Sequence, residues 1–389
     1  MYKKLILILL IDVLFAMMTY GQVRIRLFSS QTPESALFSV TAGRYELITF
    51  NGKNIVVGKY QPVIISRFNG RLAVKTINEK GFTCDSLLIQ GKTGNDFFSL
   101  RINEGAPVRQ FYSGDLQCFP DLGTIVMVNN CNVESYIAGV VKAEGGSGKN
   151  NEYFKTQAIF ARTYMYKYFS KHLPDRYNVC DNTHCQAFNG LSRDSLINRA
   201  ALETKGLVIL DRDSTLIISA FHSNCGGETS APEDVWLTSL PYLKSVADPY
   251  CLSSRNASWK KSVSMNEWIG LMKKSGYAGD TDNTAVFTFS QKTRQNNYRV
   301  GSFTVPFSKI RTDLNLRSTF FSVIASGDSI ILRGRGYGHG VGLCQEGAMT
   351  MAEEGHTYRQ IIEFYYSHII ITDVKNAVIL KENTTAKIP

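Results

Sequence analysis

The chain has 389 residues, of which 44% are apolar, 20% charged and 11% aromatic. That excludes a mainly disordered chain or a collagen-like repeat, and the length allows two or three domains or one large composite. The formal charge of +10, from 43 basic and 33 acidic residues, is spread thinly, so it suits an acidic polymer or an anionic cell surface as readily as plain solubility.

At the start of the chain Lys3 and Lys4 precede an apolar run, Leu5 to Phe15, broken only by Asp12. The run has the length of a signal-peptide core and is too short to span a bilayer. Residues 1–21 are therefore read as a signal peptide cleaved after Thr19-Tyr20-Gly21, with an uncleaved anchor as the alternative. No later apolar run is long enough for a transmembrane segment, and no Cys stands directly after the first run to carry lipid. The expected location is exported: periplasmic or extracytoplasmic, and associated with the cell wall.

Residues 22–128 read as a β-rich N-terminal region. Val23 to Phe28 alternates apolar and polar residues, and Phe50-Asn51-Gly52 and Phe68-Asn69-Gly70 are turn signals between β-branched runs. The pattern changes at Asn132, which can cap a helix from Val133 to about Ala143 that Gly145-Gly146 would stop. A second helix is predicted over Glu152–Ser170, a third over Ser264–Ser275 and a fourth over about Thr357–Ser367. Leu207–Leu210 and Thr215–Ile218 read as short strands. The fold class is α+β, mainly antiparallel β with a few helices.

Four segments carry more polar information than a core needs. Glu144 stands where the first helix ends, and the negative helix terminus together with partial burial would raise its pKa toward that of a general acid. An exposed Glu at a helix end is the plain alternative. Gln157, Ala161 and Tyr164 share one helix face with Arg162 slightly off it, a placement that fits packing as well as catalysis. Cys180, His184 and Cys185 surround an Asp-Asn turn and offer soft ligands suited to tetrahedral Zn2+, with His172 as the nearest fourth ligand; oxidation of the thiols is the alternative in an exported protein. Finally, His222-Ser223-Asn224-Cys225-Gly226-Gly227 and Gly334 to Ala348 place His222 and His339 in glycine-rich stretches where backbone can approach a ligand. The second stretch has neither the GxGxxG nor the P-loop spacing, and nothing points to nucleic acid. A Cys344/His339 nucleophile pair is conceivable, against an inert or bridged Cys344. The cysteines number eight, all after the first run.

Together these segments resemble the SpoIID/LytB family of exported bacterial cell-wall proteins. The matching pieces run in family order from roughly Val128 to Val374: Glu134 to Val141 with Glu144, Lys155 to Ala158 with Ala161 to Tyr164, Cys180 to Gln186, His222 to Asn224, Glu233 to Trp236 with Pro241 to Leu243, Leu316 to Phe320, and Gly338 to Gly342 with Gln345 and Gly347-Ala348. The resemblance implies a SpoIID-like composite with a catalytic region over residues 129–374, followed by a tail, 375–389. It implies a peptidoglycan lytic transglycosylase cutting denuded glycan strands with Glu144 as the essential acid/base, and a structural Zn2+ at Cys180, His184 and Cys185, with His172 proposed as the fourth ligand. Arg162, Tyr164, His222, Ser223, His339 and Gln345 become candidate substrate-binding residues. Other family members are described as amidase enhancers, so a non-catalytic modulator of an N-acetylmuramoyl-L-alanine amidase, with that amidase as partner, is the alternative function. A zinc peptidase fits least, because there is no HExxH and a Cys-rich set leaves no open metal position. Cys225 and Cys344 stand where the family often has Ser, and Glu346 where it often has Trp. The added cysteines suggest disulfides, Cys225–Cys251 being the preferred pair, and the lost aromatic suggests weaker sugar stacking.

Overall fold

The computed structural model describes residues 21–49, 52–103, 109–146, 148 and 150–378. The expected signal peptide up to Tyr20, the Phe50-Asn51 turn and the tail from 379 lie outside the described residues. Among the described residues no helix is long and apolar enough to cross a membrane. The fold is α+β, dominated by antiparallel sheets. The chain forms two compact units, residues 1–146 with 164–205, and residues 147–163 with 206–389.

The first unit is built on two sheets. One has seven strands in the order Val179–Cys180, Gln22–Leu27, Thr124–Asn132, Asp115–Asp121, Leu87–Gly91, Tyr45–Thr49 and Asn54–Val57. The other has six: Gln110–Ser113, Phe97–Ile102, Ser35–Ala42, Val63–Phe68, Arg71–Lys75 and Phe82–Cys84. Gln22–Leu27 shows the period-two burial its sequence requires, with Val23, Ile25 and Leu27 buried. Asn69 and Gly70 both take positive φ, 47° and 75°. They join Val63–Phe68 to Arg71–Lys75 through the two-residue turn whose twist matches that of the strands.

A run of aromatic rings ties these sheets to the rest of the unit. Tyr45 meets Phe98 edge-on with centroids 5.7 Å apart, and Phe98 stacks on Tyr112 at 5.4 Å. Tyr112 lies 6.1 Å from Phe188, which lies 5.1 Å from Tyr136. Each such pair adds about 0.5–1.5 kcal/mol beyond its buried area. Tyr136 belongs to helix α1, Val133–Glu144. The β-rich N-terminal strands thus form part of the same core as α1.

Helix α2, Asn151–Lys167, has its first part in the second unit and its last turn, from Tyr164, in the first. Helix α3, Ser195–Glu203, was not expected from sequence; its signal was Asp194, whose carboxylate accepts from the Leu196 and Ile197 N–H groups as an N-cap. Thr215–Ile218 is not a regular strand, as had been expected. Leu216 bridges Leu210 and the Ile217 N–H donates to the Ile209 carbonyl at 3.2 Å, while the regular partner of Leu207–Leu210 is Ile370–Asp373.

The second unit contains α4 (Pro232–Trp236), α5 (Met265–Lys274), α6 (Phe307–Asp313), α7 (Gln345–Glu353) and α8 (Tyr358–Tyr365). A three-stranded sheet of Ser258–Ser264, Ser329–Arg335 and Phe321–Ser326 packs on α5 and α6 around the fully buried Trp268. A short parallel pairing sets Phe221 beside Leu343 and His222 beside Cys344. It brings together two glycine-rich stretches more than a hundred residues apart in sequence.

Candidate functional site

Helix α1 is capped at Asn132, whose side chain accepts from the Glu134 N–H at 2.9 Å. It ends on Glu144, where the Gly145 N–H closes the last turn on the Val141 carbonyl at 2.7 Å. The Glu144 carboxyl is half-buried, and its Oε1 accepts from the Ala187 N–H at 2.6 Å. Burial raises its pKa from 4.5 to about 7, and the Ala187 hydrogen bond, which favours the carboxylate, opposes part of that rise. Of the two causes expected from sequence, the helix terminus and partial burial, burial is the dominant one.

The segment after α2 holds this geometry in place. Val179–Cys180 adds a parallel edge to Gln22–Leu27, with Arg26 opposite Cys180. The Asp181 carboxylate accepts from the Ser29 N–H at 3.0 Å and the Ser29 hydroxyl at 2.6 Å. Further along, the Tyr136 hydroxyl bonds Gln186 Oε1 at 3.2 Å. Phe188 and Gly190 then press on α1 at Gly139. A Cβ at Gly139 would come within 2.4 Å of the Phe188 ring and 2.6 Å of the Gly190 carbonyl. Gly190 itself has φ +84° against the Phe111 carbonyl, where an L side chain is strained. Gly139→Ala is expected to force α1 from this segment and cost about 1–3 kcal/mol by overpacking, read as a lower urea midpoint at unchanged m. An unchanged midpoint would show the contact to be slack.

His172, Cys180, His184 and Cys185 present ligand atoms that all lie within 4.8 Å of one another. Cys185 Sγ is 3.5 Å from His172 Nε2, and Cys180 Sγ is 3.6 Å from His184 Nδ1. The other His172 nitrogen, Nδ1, faces Asp175 at 3.3 Å, the outer contact that orients a ligating imidazole. The hydrogen bond from Cys185, and then His184, holds the Cys180 thiol well below its usual range, while the Cys185 proton is held more tightly. Two imidazoles and two sulfurs, one already thiolate-like, fit a tetrahedral Zn2+.

Tyr164 belongs to this unit, its ring 4.6 Å from that of Tyr168. Its hydroxyl pKa is raised first by burial and then by Cys185, Tyr168, Cys180 and Glu144. Sequence reasoning had not singled out the Ala187 amide or the Gln186 and Asp181 anchors. Gln186 and Asp181 lie inside or beside the Cys/His motif, but a backbone donor leaves no mark in sequence.

The remaining candidates lie in the second unit. Arg162 is fully buried and donates to the carbonyls of Leu207 at 3.0 Å and Ala158 at 3.4 Å. Gln345 is buried and donates to Gln157 Oε1 at 3.1 Å. The His222 and His339 rings lie 5.5 Å apart. His222 Nδ1 bonds the Val341 carbonyl at 3.1 Å, His339 Nε2 bonds the Phe221 carbonyl at 2.9 Å, and the Val341 N–H reaches His339 Nδ1 at 3.1 Å. Burial lowers both pKa values, that of His339 to about 4. The carbonyl partners assign each ring as a neutral donor. The Ser223 carbonyl accepts from the Glu346 N–H at 3.0 Å.

The stretch through Ala348 is not all loop, because α7 starts at Gln345 with Cys344 as its N-cap. The Glu346 carboxylate accepts from Asn224 Nδ2 and Asn256 Nδ2, each at 2.6 Å, so it ties two loops together. All eight cysteines are free thiols. Cys225 and Cys251, expected to bridge, have sulfurs 3.4 Å apart, in contact but unbonded, and Cys344 shares their pocket.

The first unit thus sets a half-buried glutamate against the segment that carries the Cys/His set, in an α+β frame. Residues 121–210 match the SpoIID family model, described as stage II sporulation protein, which together with the relatives below supports the resemblance to the SpoIID/LytB family. Among its relatives, an uncharacterised protein of Brachyspira hyodysenteriae is 28% identical over 338 residues, covering 85% of this chain and 88% of the relative. The stage II sporulation protein D of Bacillus subtilis is 29% identical over 265 residues, 63% of this chain and 76% of the relative. The amidase enhancer of Bacillus subtilis is 29% identical over 289 residues, 61% of this chain but only 40% of the enhancer.

Proposed function

We propose that this protein is an exported lytic transglycosylase that cleaves the bond between N-acetylmuramic acid and N-acetylglucosamine in denuded peptidoglycan strands. The observation that carries the reading is Glu144: half-buried, with its carboxyl raised to about 7 and oriented by the Ala187 amide. An acid that holds its proton near neutrality can protonate the glycosidic oxygen as the C1–O bond breaks. The substrate's acetamido group stabilises the oxocarbenium-like centre. The resulting Glu144 carboxylate then takes the proton of the sugar's 6-hydroxyl as that oxygen closes on C1. The proton given to the leaving sugar is replaced by the one taken, and the product is a 1,6-anhydro ring. No water enters, so the second carboxylate of a hydrolytic glycosidase is not required.

Tyr164 is the expected substrate contact that shares the first unit with Glu144. Arg162, His339 and Gln345 are engaged by backbone and neighbours as framework of the second unit, whereas His222 keeps a buried Nε2 without a hydrogen-bond partner among the described residues. His172, Cys180, His184 and Cys185 would hold Zn2+, which supplies a structural cross-link with no open position for substrate. We assign residues 22–128 as a β-rich scaffold and 129–374 as the catalytic region.

Mass spectrometry of products from stripped glycan tests the reading. Anhydro-ended fragments are expected from the wild type, and reducing ends would mean hydrolysis with a second carboxylate. Retained glycan binding without cleavage, together with stimulation of a cell-wall amidase, would establish the modulator reading that the enhancer relative favours.

A further inference from the structure

We propose that Cys225, Asp248, Cys251 and Cys344 form a second metal centre, a closed structural zinc site within the second unit. Their ligand atoms all lie within 4.8 Å of one another, and all four residues are buried. A tetrahedron with zinc–sulfur bonds of about 2.3 Å has sulfur–sulfur edges of about 3.8 Å. Cys225 Sγ lies 3.4 Å from Cys251 Sγ and 3.1 Å from Asp248 Oδ2, so small outward shifts of the ligands would admit the ion. Three thiols and a carboxylate make a soft, anionic set that selects zinc over magnesium or calcium.

Hydrogen-bond donors surround these atoms. Cys344 Sγ accepts from the backbone N–H groups of Cys225 at 3.3 Å and Gly347 at 3.4 Å. It does so as the N-cap of α7. Asp248 is fully buried; its Oδ2 accepts from the Tyr365 hydroxyl at 2.9 Å and its Oδ1 from the Tyr250 N–H at 2.9 Å, which fixes the carboxylate as outer contacts fix a ligand. Half-buried Arg294, whose Nη2 donates to the Cys225 carbonyl at 2.6 Å, offsets the charge of an anionic centre. Space is reserved as well. A Cβ at Gly347 would stand 2.5 Å from Asp248 Oδ2 and 2.3 Å from the Tyr365 hydroxyl.

A Cys225–Cys251 disulfide would use two of the three sulfurs. It would leave no reason for Cys344 and a buried carboxylate to converge on the same point, and isolated buried carboxylates are costly. A metal ion accounts for all four. It would clamp the Cys225–Cys251 loops to the start of α7, and so hold the parallel pairing of His222 with Cys344.

The test is elemental analysis of the purified full chain. Two zinc ions per chain are expected in the wild type, and one each in Asp248→Asn, in Cys344→Ser and, independently, in Cys185→Ser. Cys344 is expected to resist alkylation in the folded wild type until a chelator is added, which decides the matter even if a variant fails to fold. One zinc ion per wild-type chain, a second ion that persists in Asp248→Asn and Cys344→Ser, alkylation of Cys344 indifferent to chelator, or a Cys225–Cys251 disulfide in a non-reducing peptide map would each overturn the proposal.

Discussion

Glu144→Gln is expected to lower kcat on stripped glycan by roughly 10³–10⁴-fold, since one side chain serves as both acid and base. KM is expected to change little, because the amide keeps the size of the carboxyl and can still accept from the Ala187 N–H. Burial sets the Glu144 pKa at about 7, so wild-type kcat/KM is expected to fall about tenfold per pH unit above that point. The same shift acts on stability with a definite sign. The folded state holds the proton more tightly than the unfolded chain, so the stability it confers is complete below pH 4.5 and is lost as pH rises to about 7. Glu144→Gln is therefore expected to be more stable than wild type at pH 8, by up to about 3 kcal/mol, with the advantage shrinking toward pH 4. Paired urea titrations at the two pH values measure it. A kcat within tenfold of wild type would remove Glu144 from the chemistry, whatever the stability data show.

Loss of the His172–Cys185 metal set is the second large effect. Cys180→Ser, or removal of the ion by a strong chelator, is expected to destabilise the first unit by more than about 4 kcal/mol, as loss of a structural metal does. The reason is local. Between Cys180 and Gly190 the chain carries three of the four ligands, the Ala187 amide on Glu144, and the Phe188 ring that continues the aromatic run to Tyr136. Without the ion, hydrogen exchange is expected to rise first over residues 177–190, and turnover is expected to fall with it because Glu144 loses its orienting donor. The measurements are a thermal scan, exchange mass spectrometry and an activity assay on the same chelated sample. Rapid loss of turnover with residues 177–190 still protected would instead assign the ion a direct chemical role and revive the peptidase reading.

Much of the local structure was legible in sequence. The Asn132 cap and the Gly145-Gly146 stop predicted α1 to within a residue, and period-two alternation located Gln22–Leu27. The Cys180-to-Gln186 spacing showed which side chains could meet, since residues five apart around a turn share a small volume. His172 was close enough in sequence to be added. These features depend on chain neighbours, so dihedral preference and burial pattern encode them directly.

What sequence missed depended on contacts between distant segments. Thr215–Ile218 reads as a strand, yet Leu207–Leu210 pairs with Ile370–Asp373. Glu346 looked like a lost sugar platform, and the fold makes it a tie between Asn224 and Asn256. His222 and His339 stand in glycine-rich stretches open to a ligand, and the fold engages a ring nitrogen of each with a backbone carbonyl while burial keeps both rings neutral. Asp248 had no marker at all until the fold carried it to three sulfurs spread from Cys225 to Cys344.

The sequence by itself determined the helices with caps, the alternating strands, the Cys/His set and the position of the catalytic candidate at a helix end. Only the tertiary structure decided how far Glu144 is buried, which backbone amide faces it, and which of the cysteines converge. Desolvation and convergence are set by whatever packs against a residue, and those neighbours come from strands and loops that no local pattern links.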